Sequence, residues 1–256
     1  MERQPVYFFG HGSPMIGIEE NDFTHKLSEI GNSITSIPKA VMVISAHWLT
    51  RGTYIAVSEK PETIYDFGGF PEELYKVKYP APGSPEIARE VIKIVPEIQE
   101  DRTWGLDHGG WTLMKYLFPK ADVPVFQMSV DYYKSMQEHF DLAKKLRPVR
   151  EKGVLITGSG NIVHNLKQWF TGSDNSPFDW AVEFDEWVKE KIIERDFQSL
   201  IDYEKQGKAA KMSVPTTDHY VPLIYCLGLA DKKEKLEFVY EKVESSLSMR
   251  SLKISS

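Results

Sequence analysis

Five short stretches of the chain are apolar at nearly every position, without the alternation that marks a half-exposed strand. They are rich in Val, Ile and Phe, and this pattern is typical of strands that are covered on both faces of a sheet. We therefore predict β-strands at residues 6–9, 40–45, 54–58, 123–130 and 153–158.

Apolar residues spaced three or four positions apart predict helices between and after these strands. The helix predicted at 84–95 has Ser84 as a candidate N-cap and Pro85 at its first position. A second helical pattern is expected to stop near Pro148, since proline interrupts helical hydrogen bonding. Including this one, further helices are predicted at 136–149, 178–193 and 218–230.

The alternation of strands and helices indicates an α/β fold, a sandwich in which helices cover a central sheet that is mostly parallel or mixed. The 256 residues contain no internal repeat, low-complexity tract or long polar linker. We therefore expect one domain over residues 1–256.

Composition and charge narrow the classes of function. The net charge is −6 and no basic cluster is present, which argues against nucleic acid as a partner. Cys226 is the only cysteine, so it is expected to be a small buried residue, and neither an intrachain disulfide nor a cysteine-based zinc cluster can form. The sequence shows no signal peptide and no apolar run of about 20 residues, so a cytoplasmic protein without a membrane span is expected.

Histidines follow the predicted strands repeatedly. His11, His47 and His164 each come after a strand, His219 opens the last apolar helix, and His108 lies in a glycine-bearing loop. In open α/β sheets, ligands bind outside the carboxyl ends of the strands. We therefore expect His11, His47, His164 and His219 to lie along one edge of the sheet.

Histidines gathered at one sheet edge indicate a metal site. Any one of them alone could be a structural, hydrogen-bonded residue, but imidazole is also the side chain that most often binds Zn, Fe, Ni or Cu. The pattern predicts one mononuclear metal site, and it does not distinguish hydrolysis from oxygen chemistry. His25 and His139 lie beside charged residues in helical patterns and are predicted to be surface residues.

Nearly the whole chain, from residue 6 onward, carries the motifs of one enzyme family in their usual order. It resembles the class III, or LigB-type, extradiol ring-cleavage dioxygenases, and specifically their DOPA 4,5-dioxygenase subgroup. The motifs are "GHGSP", "ISAHW", "YDFGGFPEELY", "LDHGGWTLMKYLFP", "GSGNIVHNL" and "TTDHYVPLIY".

The resemblance implies a set of roles for the histidines. His11, His47 and His219 would bind the metal, and His164 would act as the acid/base residue. In zinc-loaded members of the family, the histidine that matches His164 also lies within coordinating range. His108 would bind a substrate oxygen or assist proton transfer. The implied catalytic metal is Fe(II), and Zn(II) could occupy the same site.

The third ligand position differs from that of the wider extradiol class. That class binds its metal with two histidines and one carboxylate, whereas the resemblance places His219 at the third position. Asp218 is expected to be an N-cap or a partner that orients an imidazole. Three neutral ligands leave the full charge on the metal, which favours an anionic catecholate.

The implied function is a non-haem Fe(II) dioxygenase that inserts O₂ into the ring of a DOPA-like catechol and opens it to a semialdehyde. An imidazole such as His164 suits the proton transfers, because its ordinary pKa is about 6.5. The loop at 64–83 would cover the pocket, with Tyr65 and Phe67 as its aromatic walls. Trp111 is a further candidate for substrate binding, although it could equally be a core residue.

Two other functions stay open at this point. One is a zinc hydrolase that uses a metal-bound hydroxide with His164 as base. The absence of a nucleophile motif or a clear Glu base counts against it. The other is a non-catalytic signalling protein of the Memo type, which shares the fold. The presence of every expected histidine counts against that possibility.

Overall fold

Strands and helices alternate along the computed structural model, which describes residues 3–171 and 175–256. The strands are β1 (Val6–Gly10), β2 (Ala40–Thr50), β3 (Tyr54–Ala56), β4 (Gln99–Asp101), β5 (Val125–Asp131), β6 (Val154–Gly160), β7 (Lys235–Tyr240), β8 (Val243–Glu244), β9 (Leu247–Ser248) and β10 (Ser251–Ser255). The α-helices are α1 (Asp22–Ser33), α2 (Pro85–Ile94), α3 (His108–Leu117), α4 (Met136–Glu151), α5 (Leu166–Trp169), α6 (Asp179–Glu194), α7 (Phe197–Ile201), α8 (Lys208–Ser213) and α9 (Val221–Leu229). Short 3₁₀ helices are present at Pro14–Gly17, Leu74–Lys76 and Tyr203–Gln206.

Eight of the strands form one mixed sheet in the order β4-β3-β5-β2-β6-β1-β10-β7. Its centre, β5-β2-β6-β1, is parallel. Antiparallel pairs join β10 to β1, β7 to β10, and β3 to β5. This sheet confirms the predicted α/β fold, and the ends of its four parallel strands lie along one edge.

Helices cover both faces of the sheet, which explains why its central strands are apolar throughout. Along β2, Met42 and Ile44 pack into the core under α2, α4, α6 and α9. Val41 and Val43 point to the opposite face, where α1 and α3 pack. Each fully buried side chain of this size contributes about 1.5–3 kcal/mol of transfer free energy.

Helix α4 differs from its prediction in two ways. It runs through Pro148 to Glu151, because a proline in the last turn removes only one helical hydrogen bond. Buried Arg150 holds that turn through the Glu234 carboxylate and the Gln4 carbonyl. The prediction for His139 was also wrong: its side chain is buried between α4 and α9, with Nδ1 3.1 Å from the Tyr225 hydroxyl.

Two predictions about single residues can be compared with the structure. Ser84 precedes α2 as predicted but makes no side-chain capping bond, while Pro85 is the first helical residue. Cys226 is fully buried, as expected, with its thiol 3.3 Å from the Tyr7 carbonyl oxygen.

Among the helices described, none combines the length and the apolar composition that crossing a membrane requires.

Candidate active site

Two central strands of the sheet carry the first pair of histidines. His11 directly follows β1, and its N–H donates to the Gly160 carbonyl oxygen at 3.1 Å. His47 lies within β2 and not after it, because the strand continues to Thr50. The pairing of β2 with β5 shifts register between Ile44 and Leu49, and such an irregularity re-aims the side chains within it.

The second pair of histidines lies where the chain turns between elements. His164 follows β6, forms an isolated bridge with Leu247, and precedes α5. His219 lies in the turn before α9, which begins at Val221 and not at 218 as predicted. The β6 residue Gly160 permits this turn to approach, since a Cβ there would lie 2.2 Å from the His219 carbonyl oxygen.

His11, His47 and His219 converge on one point. One ring nitrogen from each lies within 4.8 Å of the other two. The Nε2 atoms of His11 and His47 are 3.0 Å apart. Three nitrogen donors at this spacing could hold a single ion.

The outer nitrogen of each of these rings has its own partner, which sets the tautomer. The Ser159 hydroxyl donates to the Gly109 carbonyl oxygen at 2.6 Å, so it must accept from Nδ1–H of His11 at 3.0 Å. His219 Nδ1 donates to Asp218 Oδ2 at 2.5 Å. His47 Nδ1 is 3.4 Å from the carboxylate of Asp66. With the proton on Nδ1, the Nε2 lone pairs of His11 and His219 are free for a metal, and the Asp66 carboxylate favours the same tautomer in His47.

The inner nitrogens fit a transition metal. Within the described residues, Nε2 of His219 is buried and has no hydrogen-bond partner. Burial, followed by the neighbouring histidines, holds the pKa of His11 and of His47 well below the usual value, so a proton is disfavoured there. Two unprotonated nitrogens 3.0 Å apart repel each other, and a divalent cation removes this repulsion. Three neutral imidazoles are ligands typical of Fe(II) or Zn(II) and not of Mg²⁺ or Ca²⁺.

His108 adjoins this centre at the start of α3. Its ring centroid lies 3.9 Å from that of His47. Its Nδ1 is 2.8 Å from Asp66 Oδ2, and its backbone N–H donates to Asp66 Oδ1 at 2.9 Å. Burial would raise the pKa of Asp66, but the contacts with His108 outweigh it, and the net shift is downward. The Asp66 side chain is therefore ionised at neutral pH.

Asp107 is the N-cap residue of α3, directly before His108, and its side chain is fully buried. Its Oδ1 accepts from the Ser45 hydroxyl at 2.8 Å and from the Gly110 N–H at 3.1 Å. Burial raises the pKa of Asp107 to about 6. These bonds tie the start of α3 to the middle of β2, two residues before His47, so they fix His108 relative to His47.

His164 contacts His219 by stacking. Their ring centroids are 3.4 Å apart and the ring planes differ by 5°. Burial, followed by the proximity of His219, lowers the pKa of His164 to about 2. The imidazole is therefore neutral at physiological pH, the form in which it can accept a proton.

A cavity of about 1060 Å³ opens over the five histidines. Phe67 lines it, together with Phe70, Trp169 and Phe170. Tyr65 and Trp111 lie behind Phe67 and are not among the lining residues. The Tyr65 hydroxyl donates to the Val77 carbonyl oxygen at 2.6 Å. Trp111 is fully buried, and its Nε1–H donates to the Ile64 carbonyl oxygen at 3.0 Å.

Sequence reasoning did not identify several residues that contact the histidines. Asp66 lies inside the motif "YDFGGFP", between Tyr65 and Phe67, so the sequence contained a signal for it. Ser159 lies between two glycines at the end of β6 and gave no distinct signal. The fold and the site together define the class: an α/β protein with a cluster of three histidines that could hold a metal ion, beside an aromatic-lined cavity.

Comparisons with known proteins identify the family. The model of the catalytic LigB subunit of aromatic ring-opening dioxygenase matches residues 5–251. The 4,5-DOPA dioxygenase extradiol of Escherichia coli (strain K12) is 40% identical, covering 98% of this chain and 95% of the relative. The protein of the same name from Beta vulgaris is 34% identical over 94% of this chain and 92% of its own.

A solved structure supports the same assignment. The crystal structure of an uncharacterized protein from Escherichia coli K12 matches with a TM-score of 0.84 and 36% identity, covering 99% of this chain and 100% of that one. The chain therefore belongs to the LigB family and is an extradiol ring-cleavage dioxygenase.

Proposed function

We propose that this dioxygenase holds Fe(II) on His11, His47 and His219 and cleaves the ring of a catechol with a DOPA-like side chain. The observation that carries the proposal is the convergence of three imidazoles whose outer nitrogens are occupied, with Nε2 of His219 buried and unpartnered. Bound Fe(II) would supply electron transfer between ring and O₂, which Zn(II), without an accessible redox step, would not.

His164 is the proposed acid/base residue. It is neutral at pH 7 and lines the cavity beside the three ligands. A catecholate bound next to it would stabilise the imidazolium form, since a nearby opposite charge favours the charged state. His164 would thus take a hydroxyl proton from the catechol and return it after ring cleavage.

His108 is the proposed second contact to the substrate oxygens. Its Nδ1–H is committed to Asp66, so only Nε2 is available to a molecule in the cavity. An unprotonated Nε2 accepts a hydrogen bond, which suits the second hydroxyl of a catechol.

The aromatic residues of the loop are proposed to bind the ring. Phe67 lines the cavity and meets the His108 ring edge-on at 5.6 Å. Tyr65 and Trp111 contact Phe67 at 6.1 and 6.5 Å between centroids. We propose that these two act on substrate binding by fixing Phe67, which a ring-stacking wall requires.

Charges along the cavity support an anionic side chain on the catechol. Its two lining carboxylates, Asp66 and Asp218, are both bonded to histidines. Lys167 and Lys211 also line the cavity. Within the described part of the chain, neither lysine is in an ion pair. A carboxylate such as that of DOPA would give them a partner.

We also infer that residues 1–256 form one domain. The family match spans residues 5–251. The sheet supports this, because it pairs β1 at the start of the chain with β10 at its end.

Oxygen uptake tests the proposed function. The protein is purified anaerobically, reconstituted in parallel with Fe(II) and with Zn(II), and offered a panel of catechols that includes DOPA. Uptake and the yellow semialdehyde absorbance should appear with Fe(II) only, and His11→Ala should abolish both. Equal uptake with Zn(II), or no uptake with any catechol, would contradict the proposal.

A further inference from the structure

We infer that Asp66 is a positioning residue that orients the ligand His47 and the substrate-facing His108 through one carboxylate. The inference deepens the proposed function and rests on it. Asp66 Oδ2 lies 2.8 Å from Nδ1 of His108 and 3.4 Å from Nδ1 of His47. Its Oδ1 accepts the backbone N–H of His108 at 2.9 Å.

The shared oxygen favours the same tautomer in both rings. An ionised carboxylate can only accept hydrogen bonds, so Nδ1 of His108 must carry the proton that it donates, and the same negative oxygen favours a proton on the nearby Nδ1 of His47. In the neutral form of each ring, Nε2 is then the unprotonated nitrogen, as a metal ligand and a hydrogen-bond acceptor require. Without Asp66, the proton could move to Nε2 and block both roles.

Asp66 also supplies charge that the ligands lack. His11 is oriented by the neutral hydroxyl of Ser159, whereas His47 and His219 each face a carboxylate, Asp66 and Asp218. A carboxylate on the outer nitrogen makes a histidine a stronger ligand. Of these two carboxylates, only Asp66 also holds the histidine proposed to meet the substrate.

The position of Asp66 in the loop couples the aromatic wall to the metal centre. Phe67, the next residue, contacts the ring of the same His108 that Asp66 holds. The Asp66 carboxylate contacts the outer nitrogens, away from the paired Nε2 atoms of His11 and His47. It therefore orients the ligands and is not one of them.

The test compares Asp66→Asn and Asp66→Glu with the wild type. Asp141→Asn is the matched control, since Asp141 is an exposed residue of α4 bonded to Lys144. Three readouts are taken: the histidine tautomers of the metal-free form by ¹⁵N NMR, the Zn(II) affinity by chelator competition, and kcat and KM of the Fe(II) form.

Asp66→Asn should lower metal affinity and kcat by about 10- to 100-fold each, as loss of such partners typically does. It should also convert part of His47 or His108 to the Nε2–H form. Asp66→Glu should recover part of each loss, and Asp141→Asn should match the wild type. Wild-type tautomers and affinity in Asp66→Asn would overturn the inference.

A purely structural role would also be visible. It would lower the melting temperature of Asp66→Asn while the tautomers and metal affinity of the folded fraction stayed unchanged, and that result overturns the inference. Failure of the proposed function looks different: the wild-type Fe(II) protein itself would consume no oxygen with any catechol.

Discussion

His164 lies flat against His219, with the ring centroids 3.4 Å apart. His219 is itself held at Nδ1 by Asp218 Oδ2, at 2.5 Å. The proposed acid/base residue is therefore placed by a proposed metal ligand and not by a carboxylate of its own. His108 differs, since Asp66 holds it directly.

Replacing His164 should separate proton transfer from metal binding. His164→Gln should lower kcat by about 10²- to 10⁴-fold, the usual contribution of a general acid/base. Its metal affinity should change little, because His219 keeps its bond to Asp218. Steady-state oxygen uptake and chelator competition measure the two quantities.

The comparison variant for this prediction is His219→Gln, which should lose the metal itself. If His164→Gln lost metal as completely, His164 would be a ligand in place of an acid/base residue. Activity of His164→Gln within about twofold of the wild type would refute both roles.

Gly160 is predicted to be essential for the position of His219. The Cβ of Gly160→Ala would lie 2.2 Å from the His219 carbonyl oxygen and 3.2 Å from Pro222, so the turn must move. We expect a loss of about 1–3 kcal/mol in the free energy of unfolding, with weaker Zn(II) binding. Urea unfolding and chelator competition measure them.

A matched substitution is Gly68→Ala, where the new Cβ would meet nothing within 4 Å. Its stability should stay within about 0.5 kcal/mol of the wild type. If Gly160→Ala behaved like Gly68→Ala, the close packing of β6 against the turn would not position His219.

Lys211 is predicted to contribute to the recognition of a substrate carboxylate. Lys211→Gln should raise KM for DOPA about 3- to 10-fold, since an exposed charge-assisted bond contributes on the order of 1 kcal/mol. KM for an uncharged catechol should not change. Lys208→Gln, an exposed residue of the same helix outside the cavity lining, is the control. An equal rise for both substrates would contradict charge recognition.

Burial of His139 is expected to make the folded protein less stable as the pH falls. Burial lowers its pKa from 6.5 to about 4, so the unfolded chain takes up a proton at a higher pH than the folded chain. Stability is thus retained above pH 6.5 and lost as the pH falls towards 4, by up to about 3 kcal/mol.

This prediction is checked by urea unfolding of the metal-free protein at pH 7.5 and pH 4.5. His139→Gln has no imidazole here, so its stability should fall less between the two pH values than that of the wild type. Equal losses in both proteins would show that His139 does not contribute.

The four strands at the centre of the sheet could be predicted because helices cover both of their faces, which makes them apolar throughout, and the short strand β3 beside them was predicted as well. The strands near the C-terminus were missed. In β10, Ser251 and Lys253 interrupt the apolar run, and β7 is an edge strand with exposed residues along it. Their pairing is set by the sheet and not by local propensity.

The site was predicted only in part, for a similar reason. Histidines at the ends of parallel strands must lie at one edge, so their proximity follows from the pattern. Of the partners of their outer nitrogens, Asp66 depends on how a loop packs against that edge, and Ser159 lies within β6, where no local pattern distinguishes it. His139 was predicted wrongly because the helical pattern did not show that its face packs against Tyr225.

Incorporation of ¹⁸O₂ shows whether this protein opens a catechol ring as a dioxygenase. The Fe(II)-loaded protein is given a catechol under ¹⁸O₂, the product is reduced at once so that its aldehyde oxygen cannot exchange with water, and its mass is measured. We expect a ring-opened product that carries both labelled atoms. A product with one label or none, or an intact ring, would contradict it.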